Sequence, residues 1–286
     1  MSTRERVLVR GVGDVGSAVA VALFRAGYHV ALHDEPAPAT IRRGMAFADA
    51  VFDGTAMLDG LTAQRAETAV ELHRALTRRE ALPVTAWPFP DMLQAAEWSA
   101  IIDARMRKRD VPERQRGMAP LTIGLGPNFV AGATVDFAIE TSWGDRLGAV
   151  IDAGPTLPLA GEPRPIGGAG RVRFVYAPAA GGFDTSVRIG ERVEENAVIA
   201  AVAGVSLRAP IAGVIRGLTR AGVEVAFRTK VIEVDPRGDP AAAFGLGERP
   251  RRIAEGVLRA LATSRITRTN VTGRRQMAGT PTSIAT

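Results

Sequence analysis

Short apolar runs alternate with amphipathic stretches in the first half of the chain. The runs at 7–9 and 28–32 predict buried strands, and between them apolar residues recur at helical spacing from 14 to 26 and stop at Gly27, which predicts a helix. The pattern continues with predicted helices at 41–51 and 63–78 and predicted strands at 82–85, 101–104 and 121–125. Alternating strands and helices are typical of α/β proteins, so we predict a Rossmann-like, doubly wound parallel sheet.

The pattern changes after about residue 151. Residues 154–171 are rich in glycine and proline and predict a linker, so the α/β domain would comprise residues 1–153. Residues 172–238 hold short β-branched runs separated by glycine-containing turns, which predicts a small all-β module. Apolar spacing from 248 to 262 predicts a helix within a C-terminal segment, 239–263, and the basic tail at 264–286 is predicted to be disordered.

Composition narrows the class of protein. The 286 residues are 46% hydrophobic and 23% charged, as in ordinary globular proteins, and the absence of cysteine excludes disulfides and thiolate metal sites. Neither an apolar run of membrane-spanning length nor a signal-peptide pattern occurs, so we expect a cytoplasmic protein without membrane contact. The net charge of +6 depends largely on arginines in the tail, and no basic stripe carries aromatic residues, so nucleic-acid binding is not expected.

A glycine-rich loop, Gly11-Val12-Gly13-Asp14-Val15-Gly16, joins the first predicted strand to the first predicted helix. In this arrangement Gly11 allows a tight turn, Gly13 lets a pyrophosphate approach the backbone, and Gly16 lets the helix pack closely on the strand. Asp34 ends the second predicted strand, near the spacing of a carboxylate that accepts from a ribose hydroxyl. Asp14 either lies beside the phosphate or caps the helix. The loop predicts a site for a phosphate-bearing cofactor.

Two groups of cations follow predicted strands. Arg42 and Arg43 come after the second strand and a proline-rich turn, and Arg105, Lys108 and Arg109 come after the strand at 101–104. The carboxyl ends of strands in such sheets carry ligand-binding loops, so guanidinium groups there suit phosphate or carboxylate recognition. A solvated helix start and a solvated charge cluster are the alternatives.

A second glycine-containing loop, Gly124-Leu125-Gly126-Pro127-Asn128, lies at the end of the strand predicted at 121–125. Small residues expose backbone N–H groups as an anion nest does, and Pro127 and Asn128 favour a turn. Glu140 ends the next apolar run and either reaches the same cleft or lies on the surface. We therefore include Gly124, Gly126, Pro127 and Asn128 of this loop, together with Glu140, among the candidate cofactor-binding residues.

Catalytic and metal-binding residues are not evident. Neither tyrosine is followed by lysine four residues later, the three histidines lack metal-ligand spacing, and nucleophile-elbow and Walker motifs are absent. The catalytic residues are therefore unassigned and no metal site is expected. A general acid or base for an oxidoreductase is also not evident.

The all-β segment is similar to the biotinyl/lipoyl-type hammerhead, or barrel-sandwich hybrid, in its order of short strands and in its Ala209-Pro210-Ile211-Ala212-Gly213 turn. The carrier lysine of that module would belong between Val202 and Arg208, where this chain has no lysine. The resemblance therefore implies a docking or structural element instead of a swinging arm.

Several stretches together resemble the YqeB-type (selenium-dependent) accessory proteins of molybdenum hydroxylases. They occur in a common order between residues 6 and 262: 9–14, 41–43, 46–51, 108–109, 123–127, 139–141, 208–218 and 234–237. Asp110 and Asn128 depart from the pattern, which has asparagine and glycine there. The resemblance implies a protein that serves the maturation or cofactor loading of a xanthine-dehydrogenase-like molybdenum hydroxylase. It would bind a molybdopterin-type cofactor or a nucleotide, with the apo-hydroxylase as partner.

Two other functions stay open. An NAD(P)-dependent oxidoreductase would use Asp34 to bind its cofactor, but it lacks an evident proton donor. A non-catalytic nucleotide-sensing protein would fit a hammerhead without its lysine. An accessory role is favoured over a stand-alone enzyme, and a homo-oligomer is neither indicated nor excluded.

Overall fold

The computed structural model describes residues 5–107, 110–159 and 161–277 of the chain. Its first part alternates short strands and helices, in this order: β1 (Arg6–Arg10), α1 (Asp14–Arg25), β2 (His29–His33), α2 (Ala50–Asp53), β3 (Thr55–Leu58), β4 (Leu61–Arg65), α3 (Ala69–Arg78), β5 (Leu82–Thr85), α4 (Phe89–Gln94), β6 (Ala100–Asp103), β7 (Thr122–Leu125), β8 (Val130–Ala131), β9 (Phe137–Ile139), β10 (Val150–Ile151) and β11 (Gly154–Pro155).

The second part is rich in strands and ends in a long helix. Its elements are β12 (Phe174–Tyr176), β13 (Gly181–Asp184), β14 (Arg192–Val193), β15 (Val198–Val202), β16 (Val205–Arg208), β17 (Gly213–Leu218), β18 (Glu224–Val225), β19 (Lys230–Asp235) and α5 (Glu248–Met277). Short 3₁₀ turns lie at Arg43–Met45, Arg171–Arg173 and Pro240–Ala243.

Nine strands of the described chain form one sheet in the order β10-β9-β7-β6-β1-β2-β5-β4-β3. The strands from β9 to β4 in this order run parallel, and Val9 pairs with Leu32 on one side and Ile102 on the other. Val7 and Val9 pack with α1 and α5 on one face, whereas Leu8 packs with α3 and α4 on the other. Strands buried on both faces form continuous apolar runs, which is why the hydrophobic pattern predicts them.

The predicted fold class, a Rossmann-like doubly wound parallel sheet with a barrel-sandwich module, is wrong as a whole. The sheet is mixed, because β3 is antiparallel to β4 at one edge and β10 is antiparallel to β9 at the other. The β3–β4 hairpin turns at Asp59 and Gly60, whose φ angles of 51° and 77° suit a two-residue turn. The connection from β6 to β7 holds no helix in its described residues, and α5 covers that face instead.

The β-rich part consists of two four-stranded antiparallel sheets, β12-β19-β17-β14 and β16-β15-β13-β18. They share an apolar core that includes Phe183, Ile215 and Ile232. Phe52 of the first part packs against this core. The backbone N–H of Leu218 also donates to the Ile41 carbonyl at 2.7 Å. The two parts of the chain are therefore packed directly on each other.

Helix boundaries differ from those that periodicity predicts. Residues 41–51 hold only a 3₁₀ turn and the start of α2. Residues 63–65 belong to β4, and α3 begins at Ala69 because Thr68 and Glu71 form a capping box there. Helix α5 begins at Glu248, as predicted, and continues through part of the predicted tail to Met277. Residues 278–286 of that tail lie outside the described residues.

We predict that Gly16→Ala strongly destabilises the protein, whereas Gly13→Ala does not. A Cβ at position 16 would overlap the Gly11 carbonyl oxygen, a backbone atom that is fixed between β1 and α1. A Cβ at position 13 meets nothing closer than Thr40 Oγ1 at 3.9 Å, and the φ of −67° at Gly13 suits alanine. Urea unfolding should show a loss of about 2 kcal/mol or more for Gly16→Ala. Gly13→Ala should cost less than about 1 kcal/mol, and equal losses for both variants would contradict this packing argument.

Candidate functional site

The carboxyl ends of the parallel strands β1, β6, β7 and β9 lie along one edge of the main sheet. The strand order reverses between β1 and β6, because the chain continues through β2 and β5 on one side and through β7 and β9 on the other. Ligands of open α/β sheets bind outside the strand ends at such a reversal. The residues that meet here, 11–14, 104–107, 124–129 and 140–142, are called the strand-end site below.

The glycine loop is shaped by two close backbone approaches. Gly11 has a φ of +112°, and a Cβ there would lie 2.7 Å from the Ala104 carbonyl oxygen, so only glycine lets β1 end against the β6 loop. Gly16 lets α1 begin directly against Gly11. Gly13 has no such neighbour, because the space where its Cβ would lie is open except for Thr40 Oγ1 at 3.9 Å. The backbone of the loop is therefore approachable at Gly13.

Asp34 braces the glycine loop from the end of β2. Its Oδ2 accepts from the Val12 N–H at 2.8 Å, and its Oδ1 accepts from the Glu35 N–H at 2.9 Å. Burial raises the pKa of Asp34, although both N–H groups favour the charged form. The carboxylate thus lies where the spacing predicts and is hydrogen-bonded to the loop backbone through one of its oxygens.

Asp14 is bound by an arginine and does not act as the N-cap. The N-cap of α1 is Gly13, which offers no side chain, and Asp14 lies in the first turn. Asp14 Oδ2 accepts from Arg42 Nη1 at 3.0 Å, and its Oδ1 accepts from the Val15 N–H at 3.1 Å. Burial opposes the charge of Asp14, but Arg42 outweighs it and lowers the pKa of the carboxyl. The negative charge beside the glycine loop is therefore balanced internally.

Arg42 also binds Glu233 of β19, which has no solvent exposure. Arg42 Nε donates to Glu233 Oε2 at 2.8 Å, and Nη2 donates to Oε1 at 3.2 Å. Arg173 and Arg216 donate to the same Oε1 at 3.2 and 3.3 Å. Burial alone would raise the pKa of Glu233, but the three arginines lower it to about 2. Glu233 therefore stays charged and ties the glycine loop to the β-rich part through Arg42.

Arg43 faces away from the strand-end site. Its Nε donates to the Leu218 carbonyl at 2.9 Å, and its Nη1 donates to both carboxylate oxygens of Asp49, at 2.8 and 2.9 Å. These contacts join the segment after β2 to β17. Of the predicted pair Arg42 and Arg43, the structure thus brings only Arg42 next to the glycine loop.

Arg105 belongs to an internal ion network at the end of β6. It pairs with buried Asp103 and with Glu113, which also binds Arg10 at 2.7 Å. Arg10 is buried at the end of β1, and its guanidinium lies 3.4 Å from the ring centroid of Phe89. The network holds the segment after β6 over the strand ends. Lys108 and Arg109, which complete the predicted cation cluster, lie outside the described residues.

The second glycine loop lies at the same edge, but its N–H groups are partly used. Gly126, with a φ of +100°, donates its N–H to the Ile139 carbonyl at 3.1 Å, and Pro127 has no N–H. A Cβ at Gly124 would overlap the Phe129 ring. Asn128 adopts a φ of +75°, which glycine or asparagine tolerates best, and its Nδ2 donates to the Asp110 carbonyl at 2.9 Å. The loop is thus built more by packing than as an open nest.

A small cavity of about 10 Å³ lies between this loop and the segment after β6. Its lining residues are Asp103, Met106, Arg107, Pro112, Leu125, Pro127 and Phe129. A volume of this size holds roughly one water molecule. This cavity is therefore too small for a phosphate group.

Glu140 is fully buried, so the surface alternative for it is wrong. Its Oε1 accepts from the N–H groups of Thr141 and Ser142, both at 2.7 Å, and its Oε2 accepts from the Leu157 N–H at 2.7 Å. Three backbone donors satisfy the carboxylate without a cation. Glu140 thus orders the turn after β9, which forms one wall of the strand-end site.

Sequence reasoning missed Arg10, Glu233 and Arg249 at or near this site. Arg249, in the first turn of α5, donates its Nε to the Thr141 carbonyl at 2.7 Å. A charged residue that ends an apolar strand is the signal for Arg10, and a charged residue between the apolar residues of β19 is the signal for Glu233. Arg249 has a different signal, because a cation in the first turn opposes the helix dipole and is uncommon there without a partner.

His33 and the possible metal-binding groups offer no evident catalytic or metal site among the described residues. His33 is buried, its Nε2 lies 2.8 Å from the Trp87 carbonyl oxygen, and burial lowers its pKa, so it is neutral at pH 7. Among the described residues, no group of three or more His, Cys, Asp or Glu side chains is arranged to hold a metal ion. In the same part of the chain, no helix has both the length and the apolar character needed to cross a bilayer.

A curated relative of the chain is an uncharacterized protein. No protein-family model matches the chain. The uncharacterized protein YqeB of Escherichia coli K12 is 38% identical to it over 260 residues, which are 91% of this chain and 48% of YqeB. The chain thus spans about half the length of the curated relative that it matches.

Similarity to solved structures is weak. The apo ectoine utilization protein EutE (DoeB) of Ruegeria pomeroyi is 12% identical with a TM-score of 0.26, and the match covers 82% of this chain and 86% of that one. A succinylglutamate desuccinylase of Silicibacter sp. TM1040 is 12% identical with a TM-score of 0.24, covering 81% and 84%. Similarities at this level carry no argument about the fold or the activity.

We predict that Glu233→Gln destabilises the protein by about 3 kcal/mol or more at pH 7, because it leaves three arginines around a buried site without their counter-charge. Equilibrium unfolding in urea measures the loss. Glu224→Gln, at the exposed position of β18 in the same part, is the matched control and should change stability by less than about 0.5 kcal/mol. Similar losses in the two variants would contradict the role of Glu233.

The stability difference between the wild type and Glu233→Gln should also depend on pH. The folded-state pKa of Glu233 is about 2, below its ordinary value of 4.5, so its ionised form stabilises the folded state above pH 4.5. That contribution, about 3 kcal/mol for a shift of this size, should disappear as the pH falls from 4.5 towards 2. Unfolding curves of both variants measured across this range test the prediction, and a difference independent of pH would contradict it.

Proposed function

We propose that the chain, which is 38% identical to YqeB over 91% of its own length, binds a phosphate-bearing, molybdopterin-type cofactor and serves the maturation or cofactor loading of a molybdenum hydroxylase. The observation that carries the binding part is the open backbone face at Gly13. It lies at the start of α1, where the strand order reverses. The molybdenum part depends on the resemblance of the sequence stretches described above.

The residues at the strand-end site fit the phosphate end of such a cofactor. The first N–H groups of a helix have no partner within the helix and carry a partial positive charge, which suits an anion. Arg42 lies beside them and is partly exposed, at 26% of its side chain. Asp14 would repel a phosphate if it were unpaired, but its ion pair with Arg42 removes most of that repulsion.

The molybdenum centre would supply its chemistry in the hydroxylase. This chain would only bind, orient and release the cofactor. The apo-hydroxylase is the proposed partner. The β-rich part supports a docking role, since Arg42 and Glu233 connect it directly to the strand-end site. Because the chain corresponds to 48% of YqeB, activity and partners of the longer protein are proposals as well.

A nicotinamide-dependent oxidoreductase is the second candidate, and Asp34 is the observation that favours it. A carboxylate at the end of β2, hydrogen-bonded to the glycine loop, is suitably placed to accept from a ribose hydroxyl. Buried His33 argues against it, because this neutral side chain is already engaged by a backbone carbonyl and offers no proton to a substrate.

We predict that the purified chain is stabilised by a molybdopterin nucleotide or by CTP, and not selectively by NAD or NADP. A thermal-shift series with NAD, NADP, CTP, GTP and a molybdopterin nucleotide measures this, since stabilisation follows ligand affinity. Gly13→Ala should abolish the shift while keeping the fold, because its methyl group occupies the open face. Gly182→Ala, on β13, where a Cβ would meet only the flexible Glu224 side chain at 3.2 Å, is the matched control and should keep the shift.

Co-expression with a candidate hydroxylase, followed by pterin analysis of the purified chain, tests the accessory role. Bound pterin or pterin nucleotide in the wild type, and its loss in Gly13→Ala, is the expected result. Tight binding of NAD(P) without any pterin would overturn the accessory role in favour of an oxidoreductase. Stabilisation by nucleotides alone, with neither pterin nor partner, would favour a nucleotide-sensing protein instead.

A further inference from the structure

Arg249 lies between the two glycine loops of the strand-end site. Its Nε donates to the Thr141 carbonyl at 2.7 Å, which fixes the guanidinium beside the turn after β9. Thr141 also borders the second loop, because its Oγ1 lies 3.1 Å from the point where a Gly126 Cβ would be. Arg249 also interacts electrostatically with Asp14 and Arg42 at the first loop and with Glu140 after β9. The position of Arg249 is therefore defined by both loops.

The positive charge of Arg249 has no counter-charge of its own. Within the described chain, no carboxylate lies within 4.0 Å of it, whereas Arg42 pairs with Asp14 and Glu233. The two nearby carboxylates are already engaged, since Asp14 accepts from Arg42 and Glu140 accepts from three backbone N–H groups. Arg249 therefore differs from the other described arginines of the site because it forms no ion pair with a carboxylate.

Two further sources of positive potential act on the same place. Arg42 is a like charge beside Arg249, and the first turn of α5 adds the positive end of a helix dipole. Burial lowers the pKa of Arg249, and Arg42 lowers it further against the opposing effect of Asp14. A half-buried cation without a counter-ion is costly to the folded state, and this cost falls when an external anion binds.

We infer that Arg249 is an anion-binding residue that holds a phosphate or diphosphate group of the ligand against the Gly13 face of the strand-end site. This inference rests on the proposed function and adds the residue that recognises the charge. Arg42 is already paired with Asp14 and Glu233, so Arg249 supplies the unbalanced positive charge here, and its planar guanidinium suits the oxygens of a phosphate group. The same phosphate chemistry is offered by a nucleotide, a pterin phosphate or inorganic pyrophosphate.

Titration calorimetry of the full chain with pyrophosphate tests the inference, with CTP and a molybdopterin nucleotide as parallel arms. The Kd of Arg249→Gln should rise at least tenfold in every arm that binds wild type, because all arms share the phosphate. The Kd of Arg249→Lys should lie between that of wild type and that of Arg249→Gln. Arg251→Gln removes an exposed charge two residues away on the same helix and should stay within about twofold of wild type.

A second measurement separates binding from a structural role. Without ligand, the Tm of Arg249→Gln should equal or exceed that of wild type, because the substitution removes an unpaired charge. A lower Tm together with unchanged affinity would overturn the inference and make Arg249 a brace for Thr141. If wild type binds and Arg249→Gln binds equally well, only this inference fails. If wild type binds no phosphate compound in any arm, the proposed function fails together with it.

Discussion

The arrangement of the molecule depends on one arginine shared by two carboxylates. Arg42 binds Asp14 at the start of α1 and the fully buried Glu233 of β19, so one planar guanidinium fixes the glycine loop and the β-rich part relative to each other. Buried ion pairs contribute little net stability, since desolvation offsets much of their attraction. We interpret this arrangement as one that fixes geometry, because Glu233 would be too costly to bury without its arginine partners and Arg42 binds Asp14 from the same position.

The same requirement for charge balance explains where the other internal arginines lie. Glu233 collects Arg173 and Arg216 in addition, and Glu113 collects Arg10 and Arg105 at the end of β6. In both networks the carboxylate is held well below its ordinary pKa by the surrounding guanidinium groups, against the effect of burial. In these networks, arginines that the sequence pattern assigns to ligand binding are paired with internal carboxylates. The arginines available to a ligand are those that lie outside the networks.

The sequence predicts the elements that depend on local pattern and fails where distant segments decide. The runs that become β1, β2 and β5 are apolar because they are buried on both faces, so periodicity finds them. The hairpin that makes the sheet mixed was also marked, by Asp59-Gly60 between two short strands, and that local signal was missed. In contrast, nothing near residues 41–51 shows that these residues are irregular because Arg42 and Arg43 bind partners on β19 and β17.

The residues of the candidate site also divide into those that the local sequence predicts and those that it does not. The glycine loop is predictable because two of its glycines have a local role, a turn at Gly11 and close packing at Gly16, whereas packing does not require a glycine at Gly13. Gly13 lies at the start of α1, so it is the glycine of this loop that we connect with the proposed ligand. The same argument applies to Arg249, whose positive charge is not paired with any carboxylate of the described residues. Packing does not require a glycine at Gly13, and no described carboxylate pairs with Arg249. Both residues lie at the same strand ends, so the proposed phosphate group accounts for both.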